Sequence, residues 1–229
     1  MQLVSQRTKN KEQIMLLELN RWEIPPGHQA LIKNVSWSEL EEILEELGEA
    51  RSRRISYSNG ILEIMTPLPE HEYSKAFISD FIRIILEELE QEYWNLGSTT
   101  FKREDMGQAV EPDECFYIQN EAIVRGEKRI ELNLMPPPDL VIEIDITNRT
   151  RFNNYQLLGV PELWRYDGTN LEINILRSGQ YLLSDESLQF PQLPLKQVIP
   201  QYLAAGQNQG KVATMKQFRD WVKEVIRNS

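Results

Sequence analysis

A chain of 229 residues with 41% apolar and 26% charged side chains is sized for one domain with decorations and can bury a sizeable core, which excludes global disorder. Its 25 Lys and Arg against 35 Asp and Glu leave a net charge of −10, which excludes a generally basic coat for nucleic acid or anionic membrane. It leaves open an enzyme that gathers carboxylates around a cation. The one cysteine, Cys115, excludes an intrachain disulfide framework and any cysteine-cluster zinc site. Nothing at the start resembles a signal peptide, and no apolar run approaches the roughly 18 residues of a spanning helix. A cytoplasmic protein with no membrane association is expected.

In chain order, residues 1–24 read as an N-terminal extension whose first part is a loose polar tail. Pro25-Pro26-Gly27 turns the chain into Ala30-Leu31-Ile32. Ser36 and Glu39 form a capping box, and Leu40, Ile43, Leu44 and Leu47 give the helix behind it one apolar stripe. Asn59-Gly60 between Ile55/Tyr57 and Leu62/Ile64 is the signature of a hairpin with a type I′ turn. A long helix is expected over about 70–95, with His71 on its buried side one heptad before Ile78. Strands follow near 99–103 and 112–118, then a charged stretch, then the extended entry Pro136-Pro137-Pro138 into a strand from Asp139 to Ile146. A short helix near 151–158, strands at 162–166, 171–175 and 180–184, and a helix around 198–204 come next. Residues 206–210 read as a linker to a C-terminal amphipathic helix carrying Met215, Phe218, Val222 and Val225. The pattern predicts an α/β (α+β) domain over 25–205, a mixed central sheet flanked by helices, followed by the appendage 206–229.

The strand Asp139–Ile146 carries the sharpest chemical signal. Leu140, Ile142, Ile144 and Ile146 face one way, and Asp139, Val141, Glu143 and Asp145 face the other. Acids at this spacing on a solvated edge strand are harmless. On a doubly covered strand, which the density of Val and Ile favours, they need a proton or a hard divalent cation. Asp113, thirty positions before Glu143, follows Pro112 at the lip of another apolar strand. If the two strands are neighbours, Asp113 and Glu143 can converge on one ion. Basic residues cluster at Arg51/Arg53/Arg54, Lys102/Arg103 and Arg125/Lys128/Arg129, as solvated faces commonly do. A positive rim for nucleic acid is expected from 99–103. Trp37, Trp94, Trp164 and Trp221 read as core.

Pro112-Asp113 followed by Glu143-Ile-Asp145 resembles the PD-(D/E)XK nuclease signature. Three longer stretches are more specific: Asn59 to His71, Pro138 to Ile144, and Leu158 to Asp167. They resemble the Uma-type family of restriction-endonuclease-like proteins, a bacterial group classed as a domain of unknown function, over roughly residues 25–205. The resemblance implies a restriction-endonuclease-like core, Asp113 and Glu143 as metal carboxylates for Mg²⁺ or Mn²⁺, His71 as a polar residue facing the site, and DNA as the partner. Nucleases of this fold commonly act as homodimers to reach both strands. Asp145 stands where the signature has a lysine, and a carboxylate can neither polarise water nor stabilise a phosphorane. Arg151, and after it Arg149, are the candidates to supply that charge, with Asp145 assisting; alternatively Asp145 is a third metal ligand, or the chain has lost activity. The alternative is a nuclease-fold module that binds nucleic acid or protein without cutting.

Overall fold

The structure is a computed structural model describing residues 22–48, 53–146 and 152–228. Two sheets, not one, organise the described residues. The first is wholly antiparallel, in the order β1-β3-β2-β6-β5, from Gln29–Lys33 (β1), Arg54–Ser58 (β2), Ile61–Met65 (β3), Phe101–Arg103 (β5) and Gln108–Val110 (β6). The second, in the order β11-β10-β9-β8-β7-β4, is mixed. It comprises Trp94–Asn95 (β4), Glu114–Tyr117 (β7), Leu140–Ile144 (β8), Glu162–Tyr166 (β9), Leu171–Arg177 (β10) and Gln180–Ser184 (β11). Only the β8–β9 pair is parallel, and the short helix Phe152–Leu158 (α4) lies between them in sequence.

Local chemistry explains several of these elements. Helix α1 (Trp37–Leu47) starts on the expected box, with the Ser36 hydroxyl accepting from the Glu39 N–H and the Glu39 carboxylate accepting from the Ser36 N–H. The β2–β3 turn takes positive φ at both Asn59 (46°) and Gly60 (85°), as the I′ geometry requires. Helix α2 (Pro69–Glu88) ends earlier than its periodicity suggests. Its last turn holds Glu87 and Glu88 and no basic residue, a charge arrangement the helix dipole disfavours, and Glu90 then turns left-handed at φ 54°. The chain thereby reaches β4. Between the two expected strands near 99–118 lies one more, β6, reached through the 3-10 turn Glu104–Met106 and Gly107.

The alternation in β8 is as read. Leu140, Ile142 and Ile144 join the core formed with α2, α5 (Leu195–Gln209) and α6 (Lys211–Asn228), whereas Val141 packs with Cys115, Leu163 and Tyr155 on the other face. The remaining helix, α3 (Glu121–Val124), contributes Val124 to that second cluster. Residues 206–209, expected in a linker, form the end of α5, and Phe218 and Val222 of α6 are fully buried against the α2 side. Gly206 sits where a Cβ would lie 2.4 Å from the Phe77 ring, so only glycine lets α5 approach α2 this closely.

Candidate active site

The chain passes from one sheet to the other through Glu111-Pro112-Asp113. Pro112 has no N–H for a ladder, so the switch falls where a lost donor does no harm. Glu111 stays with the first sheet. Its N–H donates to Ile55 O (3.0 Å), and its carboxylate accepts from Ile55 N (3.1 Å) and the Thr100 hydroxyl (2.6 Å). Asp113 belongs to the second sheet. Its Oδ2 accepts the N–H of Ile144, the last residue of β8, at 2.8 Å, which ties it beside Glu143. Asp113 and Glu143 are 2% and 3% exposed, and both line one cleft with Glu111, Glu63 and Arg54. Its free volume is about 20 Å³, enough for roughly one water-sized occupant.

Glu143 is the strained member. Burial, then the charges of Asp113 and Asp145, push its pKa up to about 8. The Tyr155 phenol, which donates to Oε1, and the Arg165 guanidinium oppose that rise. His71, in the first turn of α2, places Nε2 3.0 Å from Asp113 Oδ2 and Nδ1 3.6 Å from Glu72 Oε1. Burial works against its charge, but these two carboxylates prevail and hold its pKa at about 9. The raised pKa favours the imidazolium beside Asp113 at neutral pH, although neither ring nitrogen has hydrogen-bond geometry to a partner.

The other expected residues separate. Asp145 pairs with Arg165 Nε at 2.5 Å, with both side chains buried, so it faces a guanidinium from β9. Asp139 accepts from Ile118 N, Asn120 N and Asn120 Nδ2 at 2.6–3.0 Å and holds the end of β7. The three acids of the strand thus do not share one site. Arg149 and Arg151 lie outside the described residues. Lys102 and Arg103, expected in a positive rim, pair at the surface with Glu41 (2.5 Å) and Asp105 (2.6 Å). Arg54, read from sequence as part of a solvated cluster, lies instead in the cleft. Ile55 and Tyr57 point into the first-sheet core, which turns Arg54 and Ser56 the other way. Arg165 and Tyr155 were also missed. Arg165 is in register with Glu143 across the parallel pair, and only the apolar character of Leu163, Trp164 and Tyr166 around it hinted that it is buried.

Among the described residues no group of three or more His, Cys, Asp and Glu is arranged to hold a metal. The cleft offers two buried carboxylates that disfavour each other's charge, and a cation between them would relieve this. Mg²⁺ commonly binds through one or two carboxylates plus substrate phosphate, so the donor chemistry of this pair suits a hard ion, while the free volume of about 20 Å³ has room for the ion and not for its several waters.

A family profile described as "Uma2: Putative restriction endonuclease" matches residues 37–205. The chain belongs to the Uma2 family. The expected resemblance to this group and the α+β class both stand. A solved structure described as a "putative nuclease belonging to DUF820 from Anabaena variabilis ATCC 29413" is similar at 15% identity, over 73% of this chain and 90% of that chain, with a TM-score of 0.42. No curated protein matches the sequence. Among the described residues no helix is long and apolar enough to cross a membrane.

Proposed function

We propose that this Uma2 protein is a cytoplasmic, divalent-metal-dependent nuclease that hydrolyses DNA phosphodiester bonds, with Asp113 and Glu143 as the residues that hold Mg²⁺ or Mn²⁺. The observation that carries the reading is the meeting of these two buried carboxylates, from separate stretches of chain, in one cleft at the junction of two sheets. A bound ion would supply a water of lowered pKa and neutralise charge on the scissile phosphate. The chain's own residues do the rest. The Ile144 N–H and the His71 imidazolium fix Asp113, and the Tyr155 hydroxyl fixes Glu143. Asp145 and Arg165 act as a sealed pair beside the site. Asp145 is thereby assigned to charge balance, and the positive charge that a lysine supplies in the PD-(D/E)XK signature falls to an arginine.

Hydrolysis of plasmid DNA by the purified protein with Mg²⁺ or Mn²⁺ tests this against Asp113→Ala and Glu143→Ala. Activity in the unsubstituted protein that both variants lose supports the proposal. Equal activity in all three overturns the assignment. DNA retention without cutting would favour the non-catalytic module, a reading that the Asp145–Arg165 pair at the lysine position also favours.

A further inference from the structure

We propose that Arg54 and a divalent cation compete for Asp113, and that the guanidinium so released becomes a ligand of the DNA phosphate. The inference rests on the metal-nuclease reading above and adds a residue and an order of events to it.

The two oxygens of Asp113 are not equivalent. Oδ2 already faces the Ile144 N–H at 2.8 Å and His71 Nε2 at 3.0 Å. Oδ1 is the oxygen left for a cation, and it is the one that Arg54 Nε faces, at 3.4 Å. The second contact of Arg54, Nη2 to Glu72 Oε1, is 3.7 Å. Both exceed the 2.7–2.9 Å usual for a charge-assisted bond, so the guanidinium is held loosely from two sides. Exposure rises along this chain of charges: the side chains are 3% exposed at Asp113, 14% at Arg54 and 49% at Glu72. Movement of Arg54 towards the mouth therefore keeps one carboxylate partner and gains solvent.

Two positive charges at one carboxylate oxygen repel, so an ion entering at Oδ1 moves Arg54 outward. A phosphodiester entering from solvent would meet it there. Arg54 is the cation among the described residues lining the cleft, and its planar fork matches two phosphate oxygens. Arg165, by contrast, is only 2% exposed and held 2.5 Å from Asp145, away from the mouth.

The test is equilibrium Mn²⁺ binding, followed by electron paramagnetic resonance, to the full-length chain and to Arg54→Gln and Arg54→Lys, with binding of a fluorescent DNA duplex measured in Ca²⁺. A bond to a charged group has the weight of about tenfold or more in an equilibrium constant. Arg54→Gln is expected to bind Mn²⁺ roughly tenfold more tightly and the duplex roughly tenfold more weakly. Arg54→Lys keeps the charge without the fork, so its Mn²⁺ affinity stays near that of the unsubstituted protein while duplex binding weakens. Unchanged or weaker Mn²⁺ binding by Arg54→Gln overturns the competition. Equal duplex binding by Arg54→Gln and the unsubstituted protein overturns the transfer to phosphate. Either result leaves the metal-nuclease reading in place if the unsubstituted protein binds Mn²⁺. No Mn²⁺ binding by that protein overturns both.

Discussion

Two Arg–Asp pairs flank Glu143, and they are built for opposite purposes. Arg165 and Asp145 meet at 2.5 Å with side chains 2% and 8% exposed. Arg54 and Asp113 stand 3.4 Å apart, at the inner end of a cleft that opens towards solvent. The first pair is short and buried, and both of its charges act on Glu143. The second is long, shared with Glu72 and replaceable. Identical residue types thus serve as a fixed counter-charge on one side of a carboxylate and an exchangeable one on the other, and the difference lies in what covers them.

The sealed pair is where substitution should do the most damage. Arg165→Met removes the guanidinium 2.5 Å from a buried Asp145 and is expected to destabilise the fold by about 3–5 kcal/mol, measured by urea unfolding. Arg165→Met combined with Asp145→Leu should recover much of that loss. A double variant as unstable as the single one would show that the pair is not the unit described.

pH dependence sharpens the contrast, because Glu143 and His71 act with the same sign. Each has a folded pKa above its usual value, about 8 for Glu143 and about 9 for His71. The stability each contributes is complete below its unfolded pKa and is given up as pH rises through the folded one. Without added metal, the melting temperature is expected to fall from about pH 4.5, where Glu143 begins to lose its contribution, to about pH 9, with His71 adding to the fall above pH 6.5. Glu143→Gln should flatten the lower part of that fall and His71→Asn the upper part. In Mn²⁺ the trend at Glu143 reverses, since binding expels its proton and tightens as pH approaches 8. A metal-free melting curve that is level across this range would contradict both assignments.

A smaller effect is expected from Tyr155→Phe, which removes the hydroxyl that donates to Glu143 and should destabilise by about 1 kcal/mol in thermal unfolding. Smallest of all is Arg54→Gln. Its contacts are long, and Asp113 keeps the Ile144 N–H and the neighbouring His71 when they go, so the stability change should be well below that of the Arg165–Asp145 pair while ligand binding alters. Severe destabilisation by Arg54→Gln would erase the distinction between the two pairs.

The sequence made some of this legible and hid the rest for physical reasons. The Ser36/Glu39 cap, the Asn59-Gly60 turn and the two faces of β8 follow from local rules, and the structure has all three. Asp113 and Glu143 could be named because one strand's alternation and one proline marked them. Their partners could not. Arg54, Tyr155 and Arg165 reach the site through sheet register and helix docking, and no spacing in the chain records that Arg165 lies opposite Glu143. The three residues of β6 are too few to show a period, and the acidic end of α2 still reads as helix-forming beyond Glu88.

The central claim is that Asp113 and Glu143 share one divalent ion. Titration of Mn²⁺ into the protein and into Asp113→Asn, Glu143→Gln and Glu111→Gln is its most direct measure. Glu111 lines the same cleft but is committed to Ile55 and Thr100, so it serves as the control. One Mn²⁺ per chain, lost in the Asp113 and Glu143 variants and kept in the Glu111 variant, is the expected result. Unaltered affinity in either Asp113→Asn or Glu143→Gln would contradict it.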